Sequence, residues 1–65
     1  MPRENRLPDL ICVTNVANEI SLTPGKRYPQ LPDPVGNGHG LVRIVDDTDE
    51  DYLFPKSMFR ETERA

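Results

Sequence analysis

The sequence has no tryptophan, and it contains one cysteine, two tyrosines and two phenylalanines. With Cys12 alone no intramolecular disulfide can form, which favours a reducing compartment. The longest apolar run, Leu10 to Val13, is four residues, too short for a signal-peptide core or a membrane span. We therefore expect a soluble, cytoplasmic protein with no membrane partner.

The length and the charge of the chain argue against two classes of function, catalysis and nucleic-acid binding. A chain of 65 residues makes one domain at most, and a chain this short buries only about 60% of its unfolded surface. Little room remains for a deep catalytic pocket, so we expect no enzyme and no cofactor. Five of the eleven acidic residues fall between Asp46 and Asp51, and the net charge is −3. No continuous basic stripe appears, so nucleic acid is not an expected partner.

Residues 40–59 carry the clearest structural signal. Two runs rich in β-branched and aromatic residues, 41–45 and 52–54, flank an acidic segment that we expect to be an exposed turn, so the pattern predicts a β-hairpin. Pro55 ends the second strand because it has no N–H for a ladder. Two registers stay open: a two-residue turn places Ile44 opposite Leu53, and a three-residue turn places it opposite Phe54.

The first part of the chain predicts two shorter strands. Residues 10–14 form one, with Ile11 and Val13 expected in the core, and residues 15–21 form a polar connection anchored by Val16 or Ile20. A type II turn is expected at residues 23–26, with Leu22 and Tyr28 on the same side of it. Residues 27–31 form a strand that Pro29 limits to a sheet edge or a bulge.

The remaining segments complete the predicted domain. Residues 32–40 hold two prolines and three glycines and are expected to be a loop without regular structure. Residues 55–58 suit one 3₁₀ turn, and Phe59 and Arg60 begin a last strand. We expect a disordered lead-in over residues 1–9, an all-β domain over 10–60, a small five-stranded barrel, and a polar tail over 61–65.

The order of these elements resembles the Src-homology 3 (SH3-like) barrel. In that family a diverging turn written roughly L-x-x-G-D-x-[IL] precedes the second strand, and Leu22, Gly25 and Tyr28 stand in comparable places. The corner before its last strand, G-x-I-P-x-N-Y-V, is similar to residues 52–59, with Pro55 at the proline. The family's peptide-binding aromatic residues are missing: there is no Trp, and Met58 stands at the corner Tyr. Binding of polyproline ligands, which needs an aromatic groove, is therefore not expected.

A second resemblance covers residues 51–59. The acidic hairpin and this segment look similar to short, uncharacterised bacterial and phage-encoded proteins with D-Y-L-[YF]-P-x-x-x-F endings. That resemblance implies a small barrel and supplies no activity.

The candidate chemical groups are few. Asp47, Asp49 and Asp51 have the spacing that opens a calcium loop, but the Gly and the acid required later in such a loop are absent. His39 has no partner suited to a zinc site. Cys12, in a predicted buried strand, is expected to fill the core. We expect no metal site and no catalytic residue.

A candidate partner surface contains four residues: Tyr28, Tyr52, Phe54 and Met58. At least one of Tyr52 and Phe54 is expected to lie off the core, and an exposed aromatic beside an adaptable Met can form a small contact patch. The competing interpretation is that most of the four close the ends of a small barrel. The sequence thus predicts a non-catalytic protein-interaction or accessory module. The alternative is a phage or mobile-element regulator or inhibitor that binds a host protein or nucleic acid.

Overall fold

The computed structural model describes residues 7–62, so the outer parts of the predicted lead-in and tail lie outside the described residues. Within this range, six short strands, one helical turn and one 3₁₀ turn follow each other. Their bounds are β1 Leu10–Cys12, β2 Arg27–Tyr28, β3 Gln30–Leu31, α1 Pro34–Gly38, β4 Leu41–Val45, β5 Asp51–Pro55, the 3₁₀ turn Lys56–Met58, and β6 Phe59–Glu61.

The strands form two antiparallel sheets of three strands, with orders β2-β1-β6 and β3-β4-β5. The predicted five-stranded closed barrel is therefore wrong. The expected strand over residues 27–31 is divided at Pro29 into β2 and β3, which belong to different sheets. Proline cannot donate to a ladder, and here its carbonyl accepts from Val45 N–H at 3.1 Å. The outer strands β5 and β6 pair with β4 and β1 and not with each other, so the sheets do not close.

Strand β1 presents the opposite face from the one expected. Leu10 and Cys12 are buried, whereas Ile11 is half-buried and Val13 is 47% exposed. Leu10 lies opposite Tyr28 of β2, and Cys12 lies opposite Phe59 of β6. Apolar residues stand on both faces of this strand, so alternation alone could not select the buried one.

The β4–β5 hairpin is confirmed, but both predicted registers are wrong. Ile44 lies opposite Tyr52 and not opposite Leu53 or Phe54, and the loop contains three residues, 47–49. Asp46 N–H donates to Glu50 O and Asp49 N–H to Asp46 O, each at 3.0 Å, while Asp49 adopts a φ of 71°. These bonds describe a turn followed by one left-handed residue.

Asp46 departs from the expectation that the whole acidic turn is exposed. It is only 5% exposed, and its Oδ1 accepts from the backbone N–H and the hydroxyl of Thr48 at 2.8 and 2.5 Å. The turn thus supplies both partners of Oδ1, whereas Oδ2 is buried without a hydrogen-bond partner among the described residues, which carries a cost in stability.

The segment predicted as an irregular loop contains the helical turn α1, so that prediction is also wrong. Asp33 caps it by accepting from Gly36 N–H at 2.9 Å, and Pro34 occupies the first position, where its missing N–H costs nothing. The Asp33 carboxylate also accepts from Arg43 Nε at 2.8 Å. A cap held by a neighbouring strand stabilises this single turn.

Other local predictions are confirmed. Gly25 has a φ of +89° and Lys26 N–H donates to Thr23 O at 3.1 Å, as a type II turn requires. The 3₁₀ turn precedes the last strand.

The predicted anchor of the 15–21 connection is wrong. Val16 and Ile20 are 71% and 87% exposed, so neither is buried.

One core joins the two sheets. Two aromatic pairs in it meet edge to face, Tyr28 with Phe59 at 6.4 Å and Phe54 with Phe59 at 6.2 Å between ring centroids. The whole set is Leu10, Cys12, Leu22, Tyr28, Val42, Ile44, Phe54, Met58 and Phe59. Within residues 7–62 no helix has the length and apolar character needed to cross a membrane.

Candidate partner-binding surface

Strand β5 is the outermost strand of its sheet, and its outer backbone groups have no partner strand in the described chain. Asp46 N–H bonds Glu50 O, and Lys56 N–H bonds Gly40 O at 2.9 Å. Because antiparallel ladders alternate, these two bonds direct the even-numbered backbone groups of β5 toward β4. The odd-numbered groups, those of Asp51, Leu53 and Pro55, point outward. We call these outward N–H and C=O groups the β5 edge.

The β5 edge is the longest unpaired edge among the described strands. β5 has five residues, whereas β2 and β3 have two each and β6 has three. The opposite edge of the same sheet, β3, lies between Pro29 and Pro32, and prolines at an edge hinder the addition of another strand. β5 carries its proline only at its last position, so the edge offers two N–H and three C=O groups.

Tyr52 is the exposed aromatic residue of this surface. Its side chain is 49% exposed although it lies opposite the fully buried Ile44. The hydroxyl donates to Glu50 Oε1 at 2.5 Å, and this hydrogen bond to a carboxylate raises the pKa of Tyr52 above its ordinary value. The ring is thereby presented beside the acidic turn with its hydroxyl in the protonated form.

A hollow of about 370 Å³ lies beside β5, lined by Asn18, Ser21, Tyr52, Leu53, Phe54 and Pro55. Loop 15–21 forms its far wall, and that loop carries the exposed side chains of Val16 and Ile20. The hollow places apolar side chains next to unpaired backbone groups. That combination suits an extended polypeptide, which needs main-chain partners and alternate side-chain pockets.

Loop 15–21 is held in place at its middle and at its last residue. Asn18 Nδ2 approaches Met58 Sδ at 4.0 Å, and Ser21 O accepts from Asp47 N–H at 2.8 Å. Leu22, which follows the loop, is 1% exposed. The wall of the hollow is therefore tied to the 3₁₀ turn and to the hairpin loop.

Asp47 connects the two turns at this end of the molecule. Its carboxylate accepts from Thr23 Oγ1 at 2.8 Å, Lys26 Nζ at 2.5 Å and Tyr28 Oη at 2.9 Å. The bond from Lys26, followed by that from Thr23, lowers the pKa of Asp47. The pKa of Tyr28 is raised, chiefly because the group is buried. Lys26 Nζ also lies 5.3 Å from the centre of the Tyr28 ring, so this cluster holds the turns together and is already occupied by its own partners.

The structure divides the four predicted partner residues. Tyr28, Phe54 and Met58 are 2%, 5% and 7% exposed and belong to the core, whereas Tyr52 is exposed. Sequence reasoning missed Leu53, which is 38% exposed. Side chains alternate between the two faces of a strand, so Leu53 lies on the face opposite to Tyr52 and Phe54. This alternation is the sequence signal that could have identified it.

The candidate reactive groups are dispersed. Cys12 is buried, and its burial raises the pKa of the thiol. His39 is the exposed C-cap of α1. Within residues 7–62 no group of three or more His, Cys, Asp or Glu side chains is placed to hold a metal ion.

A second hollow, of about 300 Å³, opens between the sheets over Leu10, Val42 and Phe59. Its rim carries the cations Lys56 and Arg60 together with Glu61. Charges of both signs at one rim give no preference for a ligand of either sign, and the edge strand at this hollow, β6, has three residues against the five of β5. The surface at β5 is the better-defined candidate.

No protein-family model, curated protein or solved structure matches the chain. The resemblance of residues 51–59 to short bacterial and phage proteins therefore stays a prediction.

Proposed function

We propose that this protein is a small non-catalytic interaction module that binds an extended polypeptide segment along the β5 edge. The observation that carries the proposal is the juxtaposition of that edge with the hollow beside Tyr52. Strand addition uses main-chain hydrogen bonds for affinity and side-chain pockets for specificity. β5 has unpaired backbone groups along its edge and one hollow beside it.

The distribution of apolar exposure supports this surface. Tyr52 and Leu53 are adjacent in sequence and are 49% and 38% exposed, so one points to each face of the sheet at the same edge. Val16 and Ile20 project from the loop on the far side of the hollow. A segment added to β5 would cover Tyr52 on one face and Leu53 on the other.

A capture experiment with matched variants tests the proposal. The chain offers a close control, because Leu31 on the β3 edge has the same 38% exposure as Leu53 and both lie opposite Arg43. We expect Tyr52→Ala and Leu53→Ala to lose a polypeptide that the wild-type protein captures, and Leu31→Ala to retain it.

Hydrogen exchange of the bound protein supplies the second measurement. We expect the amides of Asp51 and Leu53 to exchange more slowly when the polypeptide is bound, because they acquire acceptors. Equal capture by Leu53→Ala and Leu31→Ala, with no slowing at these two amides, would refute the proposed surface.

A further inference from the structure

We infer that the polypeptide occupying the β5 edge is β5 of a second copy of this chain, paired antiparallel about Leu53. The inference rests on the proposed use of the β5 edge and names its occupant. The resulting sheet would run β3-β4-β5 and then continue through the second copy in the reverse order.

The backbone of β5 is compatible with itself in this register. When Leu53 faces Leu53 of the second copy, each donates its outward N–H to the carbonyl of the other. Asp51 N–H then faces the Pro55 carbonyl of the second copy, and the symmetry repeats that bond. Four hydrogen bonds form, and only the two that would need a proline N–H are missing.

The charges at the two ends of β5 select this register. Placing Leu53 opposite its own copy brings Glu50 opposite Lys56 of the second copy at both ends. Both side chains are exposed, and opposite charges facing each other across strands are favourable. A slip that places Leu53 opposite Asp51 of the second copy also allows four backbone bonds, but it leaves Lys56 opposite the uncharged Thr48.

The acidic residue within the strand does not oppose this pairing. Asp51 accepts from Arg43 Nη1 at 3.0 Å, and Arg43 also binds Asp33. The carboxylate closest to the second copy is thus already paired with a cation of its own chain. A twofold contact also uses both β5 edges at once, so it closes as a dimer and does not propagate.

Disulfide trapping tests the register directly. In an antiparallel hydrogen-bonded pair the two Cα atoms lie about 5.5 Å apart, within the range that a disulfide spans. We expect Leu53→Cys to form a covalent dimer on mild oxidation, because the disulfide traps the pairing even where loss of the Leu53 side chain weakens it. Wild type, whose Cys12 is 1% exposed, is the control and should stay uncrosslinked.

Tyr52→Cys is the matched variant for the slipped register, in which Tyr52 would face its own copy. Crosslinking of Leu53→Cys with little crosslinking of Tyr52→Cys supports the inference. Preferential crosslinking of Tyr52→Cys, or none in either variant, overturns it.

Charge reversal provides a measurement without new cysteines. Sedimentation velocity over micromolar to millimolar concentrations gives the dimer dissociation constant. We expect Glu50→Lys and Lys56→Glu each to raise it by about tenfold, since each affects two facing pairs per dimer. The double variant restores opposite charges and should recover most of the loss, whereas no recovery would contradict the register.

The two proposals fail in distinguishable ways. A chain that stays monomeric, yet captures another polypeptide with slowed exchange at Leu53, overturns the second copy as occupant and leaves the proposed function standing. A monomeric chain whose capture of any polypeptide is unaffected by Leu53→Ala overturns both.

Discussion

Replacing Tyr28 by Phe would remove one oxygen atom from the junction of the two sheets and leave the ring in place. The hydroxyl oxygen accepts from Thr23 N–H at 2.7 Å and donates to Asp47 Oδ2 at 2.9 Å. Tyr28 is 2% exposed, so the variant keeps the apolar contacts of the ring, including its edge contact with Phe59.

The expected cost follows from those two bonds. A neutral hydrogen bond contributes about 1 kcal/mol and one to a charged group about 1.5–3 kcal/mol. Thr23 is exposed, so water can satisfy its freed amide, and we expect a net loss of about 2 kcal/mol. A domain of this size has roughly 3–5 kcal/mol of stability, and a loss of about 2 kcal/mol lowers the midpoint temperature by about 8–16 °C.

Thermal and urea unfolding followed by circular dichroism measure this loss. Tyr52→Phe is the matched control, because it also removes a tyrosine hydroxyl that binds a carboxylate, but at an exposed site. We expect the control to unfold close to wild type. An unfolding midpoint of Tyr28→Phe equal to that of Tyr52→Phe would refute the claim that this hydroxyl joins the two turns. A double-mutant cycle with Asp47→Asn should show strong coupling.

Three further outcomes can be measured on the isolated chain. Ala17 has a φ of 66° and is exposed, and glycine adopts this left-handed conformation without the steric cost that alanine has. Ala17→Gly should therefore raise the free energy of unfolding, measured by urea titration, by about 0.5–1 kcal/mol. A decrease would contradict the left-handed backbone at this residue. The lowered pKa of Asp47 gives stability that is fully present above the unfolded pKa, about 3.9, and is lost as the pH falls through the lower folded pKa. The gap in midpoint temperature between wild type and Asp47→Asn should therefore narrow from pH 7 to pH 3, and a constant gap would oppose this assignment. Cys12 is buried with a raised pKa, so a thiol reagent should modify it slowly in the native protein and rapidly in urea, whereas equal rates would show that β1 is open.

The features that could be predicted from the sequence depend on residues close together in the chain. Pro24 and Gly25 specify their turn because each restricts or permits a particular φ, and the turn is present. Pro55 ends a strand because it has no N–H to donate to a ladder, which is also a property of the residue itself. The hairpin followed from two β-favouring runs around an acidic segment, so its existence needed no knowledge of the rest of the molecule.

The register of that hairpin could not be predicted from neighbouring residues alone. Thr48 and the left-handed Asp49 are consistent with several loops, and Asp46 selects one of them by turning its carboxylate onto Thr48 inside the fold. A one-residue difference moved Ile44 from opposite Leu53 to opposite Tyr52. We attribute this register to the burial of Asp46. The alternation of apolar and polar residues along the strands gives no indication of that burial.

The candidate surface also has some features that the sequence determines and others that depend on the tertiary structure. The sequence determined that β5 would contain aromatic residues next to acids and end at a proline, because composition and φ restriction act locally. Only the tertiary structure decided that Phe54 enters the core while Tyr52 stays exposed on the same face of the strand. The physical reason is that Phe59 of the second sheet packs against Phe54, whereas Tyr52 lies further along β5 beside the hollow. The position of that covering residue is set by contacts between residues far apart in the chain.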